Sequence, residues 1–215
     1  MNTPRPIATM AAIKELCANP SRDHFALVMG DLIPILANAG ISGDVLEIGV
    51  SAGHTHRHLA RAVRDTNKTT GGDIRLWGLE KADPTDRFMV DLNALVDQLY
   101  AEGCPPHLVI ADSRNCAALA EALRLSLLFV DGAHDYGTAL SDLRTFAPSV
   151  VPGGVIVAHD ANDEEGPRGT VWRAIQTFLE RGIVEDQLLY TPVGHKEGVW
   201  FGIRTVSRGN GTTTG

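Results

Sequence analysis

The fold is decided by residues 44–53, which read Asp44-Val45-Leu46-Glu47-Ile48-Gly49-Val50-Ser51-Ala52-Gly53. A short apolar run that ends in small residues predicts a buried strand followed by a tight loop. Residues 54–64 then resume apolar positions at helical spacing, so the loop leads directly into a helix. This stretch therefore predicts a strand-loop-helix unit with its loop at the carboxyl end of the strand.

The same alternation of strands and helices continues along the chain. Two helices are predicted within 10–40, ahead of the first strand, with a break at Asn19-Pro20. Later strands are predicted at 74–79, 107–111, 127–130 and 154–158, and later helices at 87–102, 116–123, 137–146 and 170–181. Strands that alternate with helices of this length indicate βαβ units and a parallel sheet. The segments 187–191 and 199–205 have no helix between them and are predicted to pair as an antiparallel hairpin.

These elements predict a single α/β domain. Its core is a doubly wound, Rossmann-like seven-stranded sheet with six parallel strands, one antiparallel strand in the C-terminal hairpin, and helices on both faces. We expect residues 1–42 to form N-terminal helices that cap the substrate site or an oligomer interface, and residues 43–206 to form the ligand-binding domain. The polar residues 207–215 are expected to be a flexible tail.

Composition and charge narrow the classes of function. The net charge of -7 argues against nucleic acid as the main partner, because affinity for phosphate backbones comes largely from Lys and Arg. No apolar run approaches the roughly 20 residues of a membrane span. Three cysteines without CxxC spacing, and an N-terminus without a secretory signal, predict reduced thiols and a cytoplasmic location. A small-molecule substrate is therefore expected.

The loop after the first strand is the first candidate binding site. Open α/β sheets bind ligands at the carboxyl ends of their strands, where the strand order reverses. Gly49 and Gly53 permit close approach of a ligand to the backbone, whereas Ser51 stands where the dinucleotide fingerprint requires a glycine. Glu47 would repel a pyrophosphate but would attract a positively charged ligand. The loop therefore favours a cationic ligand over a dinucleotide.

The second and third strands also end in acidic residues. Glu80 can bind both hydroxyls of a ribose, Asp112 can accept a hydrogen bond from an adenine amino group, and the backbone N–H of Ser113 can meet the ring. Two alternatives stay open at this point. In the first alternative, Glu80 is a solvated residue beside Lys81. In the second, Asp112 caps the helix near residue 116.

Four polar residues follow the fourth and fifth strands. Asp131 and His134 come directly after the fourth strand, and His159 and Asp160 come directly after the fifth. Neighbouring parallel strands end at similar heights, so these side chains are expected to converge. The alternative is that Asp131 and His134 cap the following helix and that His159 binds a backbone carbonyl.

The ordered motifs resemble those of one enzyme family. Residues 45–53 resemble motif I of class I S-adenosylmethionine (SAM)-dependent methyltransferases, and Ala111-Asp112-Ser113 resembles a further segment of that family. Residues 131–136 and 153–160 resemble the methyltransferase 24 group and the small-molecule O-methyltransferases of catechol and macrocin type. The resemblance covers about residues 43–204 and implies SAM as the cofactor of the domain. The implied cofactor-binding residues are Glu47, Gly49, Ser51, Gly53, Glu80, Asp112, Ser113 and Asp131.

The resemblance also implies a metal site and a base. Asp131, His159 and Asp160 match positions that hold a divalent ion such as Mg²⁺ or Mn²⁺ in catechol-type enzymes. Because His159 stands where that group has an oxygen ligand, a softer ion such as Mn²⁺ or Fe²⁺ is easier to accept. His134 stands where those enzymes carry a basic Lys, and its ordinary pKa near 6.5 suits a general base. Asp131 and His134 are the expected catalytic residues.

The expected activity is metal-assisted O-methylation of a small-molecule hydroxyl by a homodimer or larger homo-oligomer. The alternatives are metal-independent N-methylation of a small amine and a non-catalytic scaffold with the same fold. We expect the acceptor pocket to be lined by residues 161–169 and by the hairpin turn around His195-Lys196. Trp172 and Trp200 fit either the core or this pocket.

Overall fold

The structure is a computed structural model that describes residues 6–19, 25–81, 88–161, 169–191 and 198–205. The α-helices are α1 (Pro6–Ala18), α2 (Phe25–Asn38), α3 (His54–Thr70), α4 (Phe88–Ala101), α5 (Ala117–Ala122), α6 (Tyr136–Phe146) and α7 (Gly169–Leu179). The strands are β1 (Asp44–Ile48), β2 (Leu76–Glu80), β3 (His107–Ile110), β4 (Leu125–Val130), β5 (Val150–Ala158), β6 (Val184–Tyr190) and β7 (Val199–Arg204). The predicted tail at 207–215 lies outside the described residues.

The strands form one seven-stranded sheet in the order β3-β2-β1-β4-β5-β7-β6. The pairs from β3 to β5 are all parallel, and β7 is antiparallel to both of its neighbours, β5 and β6. Six strands therefore point one way and one points the other, which confirms the predicted fold class. The strand order reverses between β1 and β4, where Ile48 pairs with Val130 at the carboxyl edge.

The sheet separates two hydrophobic cores, because successive side chains of a strand point to opposite faces. Val45 and Leu127 pack with α1 to α4 on one face. Leu46 and Leu128, the next residues along the same strands, pack with α5 to α7 on the other face. Helices α1 and α2 share the first of these cores with the sheet. The division into residues 1–42 and 43–206 stays a prediction.

The structure also resolves questions of detail that local pattern left open. Trp200 is a core residue with no exposed surface, and its indole Nε1 donates a 2.8 Å hydrogen bond to Gln187 of β6. Trp172 packs, partly buried, against the same core. The strand predicted to begin at Gly154 begins at Val150, and the helix predicted to end at Arg64 continues to Thr70. Within the described ranges, no helix has the length and apolar character to cross a membrane.

Candidate functional site

A cavity of about 710 Å³ opens at the carboxyl edge of the sheet, where the strand order reverses. Its walls come from the loops that follow β1 to β5, from the first residue of α2, Phe25, from the start of α3 and from α6. Every residue predicted for the site lines this cavity: Glu47, Gly49, Ser51, Gly53, Glu80, Asp112, Ser113, Asp131, His134, His159 and Asp160. The structure therefore brings the whole predicted set together, and the roles of these residues stay predictions.

The loop between β1 and α3 is shaped by close backbone contact. Gly49 has φ 90°, and a Cβ atom at this position would lie 2.2 Å from the carbonyl oxygen of Asp131. Ser51 also has a positive φ, of 49°, and its backbone N–H donates a 2.7 Å hydrogen bond to Glu80 Oε2. The loop is thereby fixed to the ends of both β2 and β4, with Glu80 facing the cavity.

Glu47 has a partner that the sequence did not reveal. The Glu47 side chain is 1% exposed, and its Oε2 lies 2.7 Å from Nδ1 of His56, which is fully buried in the first turn of α3. Burial raises the pKa of Glu47, and the hydrogen bond and charge of His56 oppose that shift. Glu47 therefore forms part of the cavity floor while one of its oxygens is held by the protein itself. The pairing joins a strand to a helix, so no local spacing of residues indicated it.

The carboxylate of Asp112 is held by hydrogen bonds and ion pairs with neighbouring residues. Its Oδ1 accepts from Arg114 N and Nε at 3.1 and 2.9 Å, and its Oδ2 lies 2.6 Å from Arg114 Nη2 and 3.0 Å from Lys81 Nζ. It caps the 3₁₀ turn Ser113–Asn115, so the capping alternative describes its contacts, although the capped turn begins at Ser113 rather than at residue 116. The Arg114 guanidinium and the Lys81 ammonium hold the pKa of Asp112 below its usual range.

The four polar residues after β4 and β5 form one cluster. His134 Nδ1 lies 2.9 Å from Asp160 Oδ2, and His134 Nε2 lies 3.6 Å from Asp131 Oδ1. His159 Nδ1 lies 3.1 Å from Asp131 Oδ1 and 3.5 Å from Asp160 Oδ1. Asp160 is 3% exposed and has a positive φ of 54°. Two imidazoles therefore alternate with two carboxylates at the edge of the cavity.

The charges in this cluster determine its protonation. Contact with Asp131 and Asp160 raises the pKa of His134 to about 10. Burial opposes protonation of His159, but the same two carboxylates outweigh burial and raise its pKa to about 9. Burial alone would raise the pKa of Asp160, but the two imidazoles hold it below its usual range. Both histidines thus carry a proton at neutral pH in this arrangement, which differs from the pKa near 6.5 expected for His134.

The donor set fits a divalent cation. Carboxylate oxygens and imidazole nitrogens are ligands for Mn²⁺ and Fe²⁺, and a cation can replace protons held between such groups. Ligand atoms of Asp131, His134 and Asp160 lie within 4.8 Å of one another. Asp160 Oδ1 is buried without a hydrogen-bond partner in the described chain. His134 is therefore a ligand candidate that sequence reasoning missed, beside the predicted Asp131, His159 and Asp160.

Two further residues of the site were not indicated by the sequence. The ring of Phe25 lies 4.4 Å, centroid to centroid, from the imidazole of His159, so α2 contributes an aromatic wall beside the cluster. Asp142 of α6 also lines the cavity, although its side chain is 1% exposed. Of the predicted acceptor pocket, residues 162–168 and His195-Lys196 lie outside the described residues.

The chain resembles known proteins in its sequence family and in its fold. A family model described as a methyltransferase domain matches residues 46–161. The O-methyltransferase TomG from Streptomyces achromogenes, solved in complex with SAM, is 18% identical over 83% of this chain and 80% of its own, with a TM-score of 0.61. CalS11, a TDP-rhamnose 3'-O-methyltransferase, is 16% identical over 95% of this chain and 96% of its own, with a TM-score of 0.60. PaMTH1 from Podospora anserina, solved with S-adenosylhomocysteine (SAH), is 19% identical over 83% of this chain and 79% of its own, with a TM-score of 0.58.

These likenesses to solved structures show the fold. No curated protein matches the sequence.

Proposed function

Since the chain belongs to the family of methyltransferase domains whose model matches residues 46–161, we propose that it transfers the methyl group of SAM to a hydroxyl group of a small molecule with the help of a divalent cation. The observation that carries this proposal is the placement of the cluster Asp131, His134, His159 and Asp160 in the same cavity as the β1 loop. The cavity of about 710 Å³ lies within the range of small-molecule sites, roughly 300 to 1,000 Å³.

The loops after β1, β2 and β3 would hold SAM. Gly49 and Gly53 allow the tight path of the β1 loop, because a Cβ atom would meet the Asp131 backbone at position 49 and the Leu95 side chain at position 53. Glu80 accepts from Ser51 N through Oε2, which leaves Oε1 for a ribose hydroxyl. Glu47 places a carboxyl group beneath the loop, and Ser113 forms the wall where the base would lie.

The loops after β4 and β5 would hold the acceptor. Asp131, His159 and Asp160 are the groups that would bind a divalent cation, and His134 is the base. When bound, SAM supplies an activated methyl group, and a divalent cation lowers the pKa of a coordinated hydroxyl group. His134 is flanked by a carboxylate at each ring nitrogen, so it can receive the proton of an acceptor only after it releases the one it holds. Phe25 and His159 form an aromatic wall on this side of the cavity.

Calorimetry with SAM and SAH tests the cofactor. We expect one molecule to bind per chain, with affinity retained in Asp97→Asn, an exposed control on α4. Gly49→Ala should weaken binding strongly because a Cβ atom would push the β1 and β4 loops apart. If the protein is well folded but binds neither SAM nor SAH, the proposal is overturned. The remaining alternative is then a non-catalytic scaffold with the same fold.

Binding of Mn²⁺, followed by electron paramagnetic resonance of the free ion, tests the cation site. We expect Asp131→Asn and Asp160→Asn to lower the affinity for Mn²⁺ by at least about tenfold, as loss of a site group typically does, with no effect of Asp97→Asn. Methyl transfer to hydroxyl acceptors should stop with a chelator and return with Mn²⁺ or Mg²⁺. Transfer to amines that persists in chelator would favour the N-methylation alternative. The expected homo-oligomer and cytoplasmic location stay predictions.

A further inference from the structure

A second buried carboxyl group, on α6, lines the cavity. Asp142 lies in the second turn of α6, is 1% exposed and lines the cavity. Neither of its carboxylate oxygens has a hydrogen-bond partner in the described part of the chain. Buried polar groups in folded proteins are nearly always hydrogen-bonded. The Ser113 side chain lies near enough to affect the pKa of Asp142 but forms no hydrogen bond of normal geometry with it, so the carboxyl group lacks the partners that buried polar groups usually have.

The position of Asp142 indicates what this partner is. A Cβ atom built on Gly132, in the loop after β4, would lie 3.6 Å from Asp142 Oδ2 and 3.5 Å from a methyl group of Ile48. Ser113, in the loop after β3, is close enough for its side chain to lower the pKa of Asp142. Asp142 thus lies between the loops after β3 and β4, beside Ser113, whose backbone N–H is predicted to meet the adenine ring. An acceptor beside an apolar surface suits the edge of a planar base.

Asp112, the residue predicted to bind the adenine amino group, is a weaker candidate for this contact. Its two oxygens already receive three hydrogen bonds from Arg114 and lie 3.0 Å from the Lys81 ammonium. Moving Asp112 towards a ligand would break charge-assisted hydrogen bonds, which are the stronger class of hydrogen bond. Asp142 has no such contacts to give up.

We propose that Asp142, rather than Asp112, accepts a hydrogen bond from the 6-amino group of the adenine of SAM and so selects an adenine nucleoside over a 6-oxo purine. This inference rests on the proposed function, because it requires SAM in the cavity. Asp142 is then a specificity-determining residue that contacts the cofactor and takes no part in the movement of the methyl group or a proton.

The ionisation of Asp142 supports this role. Burial raises its pKa to about 6, and the Ser113 side chain opposes the shift. At pH 8 the group is therefore a carboxylate, which accepts hydrogen bonds and donates none. A 6-amino group donates to such a carboxylate, whereas a 6-oxo group would place a second acceptor against it.

Calorimetry at pH 8 with SAH and S-inosylhomocysteine, its 6-oxo analogue, tests the inference. We expect the unmodified protein to prefer SAH by about 100-fold or more, because sites built around a buried polar contact reject analogues that lack it. Asp142→Asn, whose amide both donates and accepts, should reduce this preference by at least about tenfold, through weaker SAH binding, tighter analogue binding or both. Asp97→Asn, the same substitution at an exposed helical site, should leave the preference unchanged.

The outcomes separate this inference from the proposed function. Failure of the unmodified protein to bind SAH would overturn the proposed function and, with it, the role of Asp142. SAH binding with a preference that is unchanged in Asp142→Asn would overturn the role of Asp142 alone. Loss of the preference in Asp112→Asn, with Asp142→Asn unaffected, would return the contact to Asp112. Circular dichroism and thermal melting of each variant confirm that the compared proteins are folded.

Discussion

At the scale of single residues, Gly49 shows most directly how the backbone of this chain restricts its sequence. Its φ of 90° disfavours any side chain, and a Cβ atom would also meet the Asp131 carbonyl at 2.2 Å. Gly71 provides a matched control, because its φ is also positive, at 71°, but a Cβ atom there has nothing within 4 Å. The two glycines separate the cost of backbone strain from the cost of collision.

We expect Gly71→Ala to lower the free energy of unfolding by about 1 to 2 kcal/mol, the usual cost of a left-handed residue with a side chain. Gly49→Ala should lower it by more than about 3 kcal/mol, since the β1 and β4 loops must also separate. Urea denaturation of the two variants measures both values. Equal losses would contradict the close contact between the two loops.

The burial of Asp142 should make the free energy of unfolding depend on pH, with a sign that follows from the direction of its pKa shift. Its pKa is about 6 in the folded protein, against an ordinary value of 3.8. The folded state therefore holds a proton that the unfolded state releases between about pH 4 and pH 6, so stability falls as pH rises through this window. At 1.36 kcal/mol per pKa unit, the loss is on the order of 3 kcal/mol.

Asp142→Asn removes this titration. The variant should therefore gain stability relative to the unmodified protein between about pH 4 and pH 6, and the difference should be constant above pH 7. Urea denaturation of both proteins across this range measures the difference. A difference that does not change with pH would show that Asp142 is not shifted by burial.

At the scale of elements, the buried Glu47–His56 pair joins β1 to α3 directly beneath the cavity. Removal of one member of such a pair leaves the other buried without a partner, which typically costs about 3 to 5 kcal/mol. We expect His56→Leu to lower the free energy of unfolding by an amount in this range at pH 8. The double variant Glu47→Leu, His56→Leu should recover part of the loss, because it leaves no unpaired polar group, and thermal melts compare the three proteins. A double variant less stable than His56→Leu would contradict this account of the pair.

The same pair shows where prediction from the sequence succeeded and where it stopped. Strands and helices are set by local periodicity, so β1, the loop around Gly49 and the alternation that gives the parallel sheet could all be predicted. The rule that parallel strands end at one edge was enough to bring Asp131 and His159 into one cavity. How α3 and the loops pack in space decides whether His56 contacts Glu47. It also decides which carboxylates are exposed and which are hydrogen-bonded. No pattern along the chain encodes these contacts.

The protonation of His134 was also beyond the sequence. A lone histidine has a pKa near 6.5, and the shift to about 10 requires Asp160 at 2.9 Å as well as Asp131. The sequence supplied Asp131 three residues away, but the distance to Asp160 depends on the register between β4 and β5. In that register, Val130 lies opposite Ala158, and this sets the heights at which both loops begin.

At the scale of the whole molecule, the cavity unites the two halves of the sheet. One wall comes from the loops after β1, β2 and β3, and the other from the loops after β4 and β5. The cores beneath these walls lie on opposite faces of the sheet, and each contains residues from both β1 and β4. A ligand that binds across the reversal of strand order therefore contacts loops supported by both cores, and its binding energy stabilises the fold as a unit.

We expect SAH at 100 times its dissociation constant to raise the free energy of unfolding by about 2.7 kcal/mol, as for any ligand that binds only the folded state. For a chain of this length, about 2 to 4 °C per kcal/mol corresponds to an increase in melting temperature of about 5 to 11 °C. Differential scanning calorimetry measures the increase. Gly49→Ala, at the same total SAH concentration, should show a much smaller increase, because its weakened site is less saturated, whereas Asp97→Asn should match the unmodified protein. A full increase in Gly49→Ala would place SAH away from the β1 loop, and the proposed arrangement of the site would then be wrong.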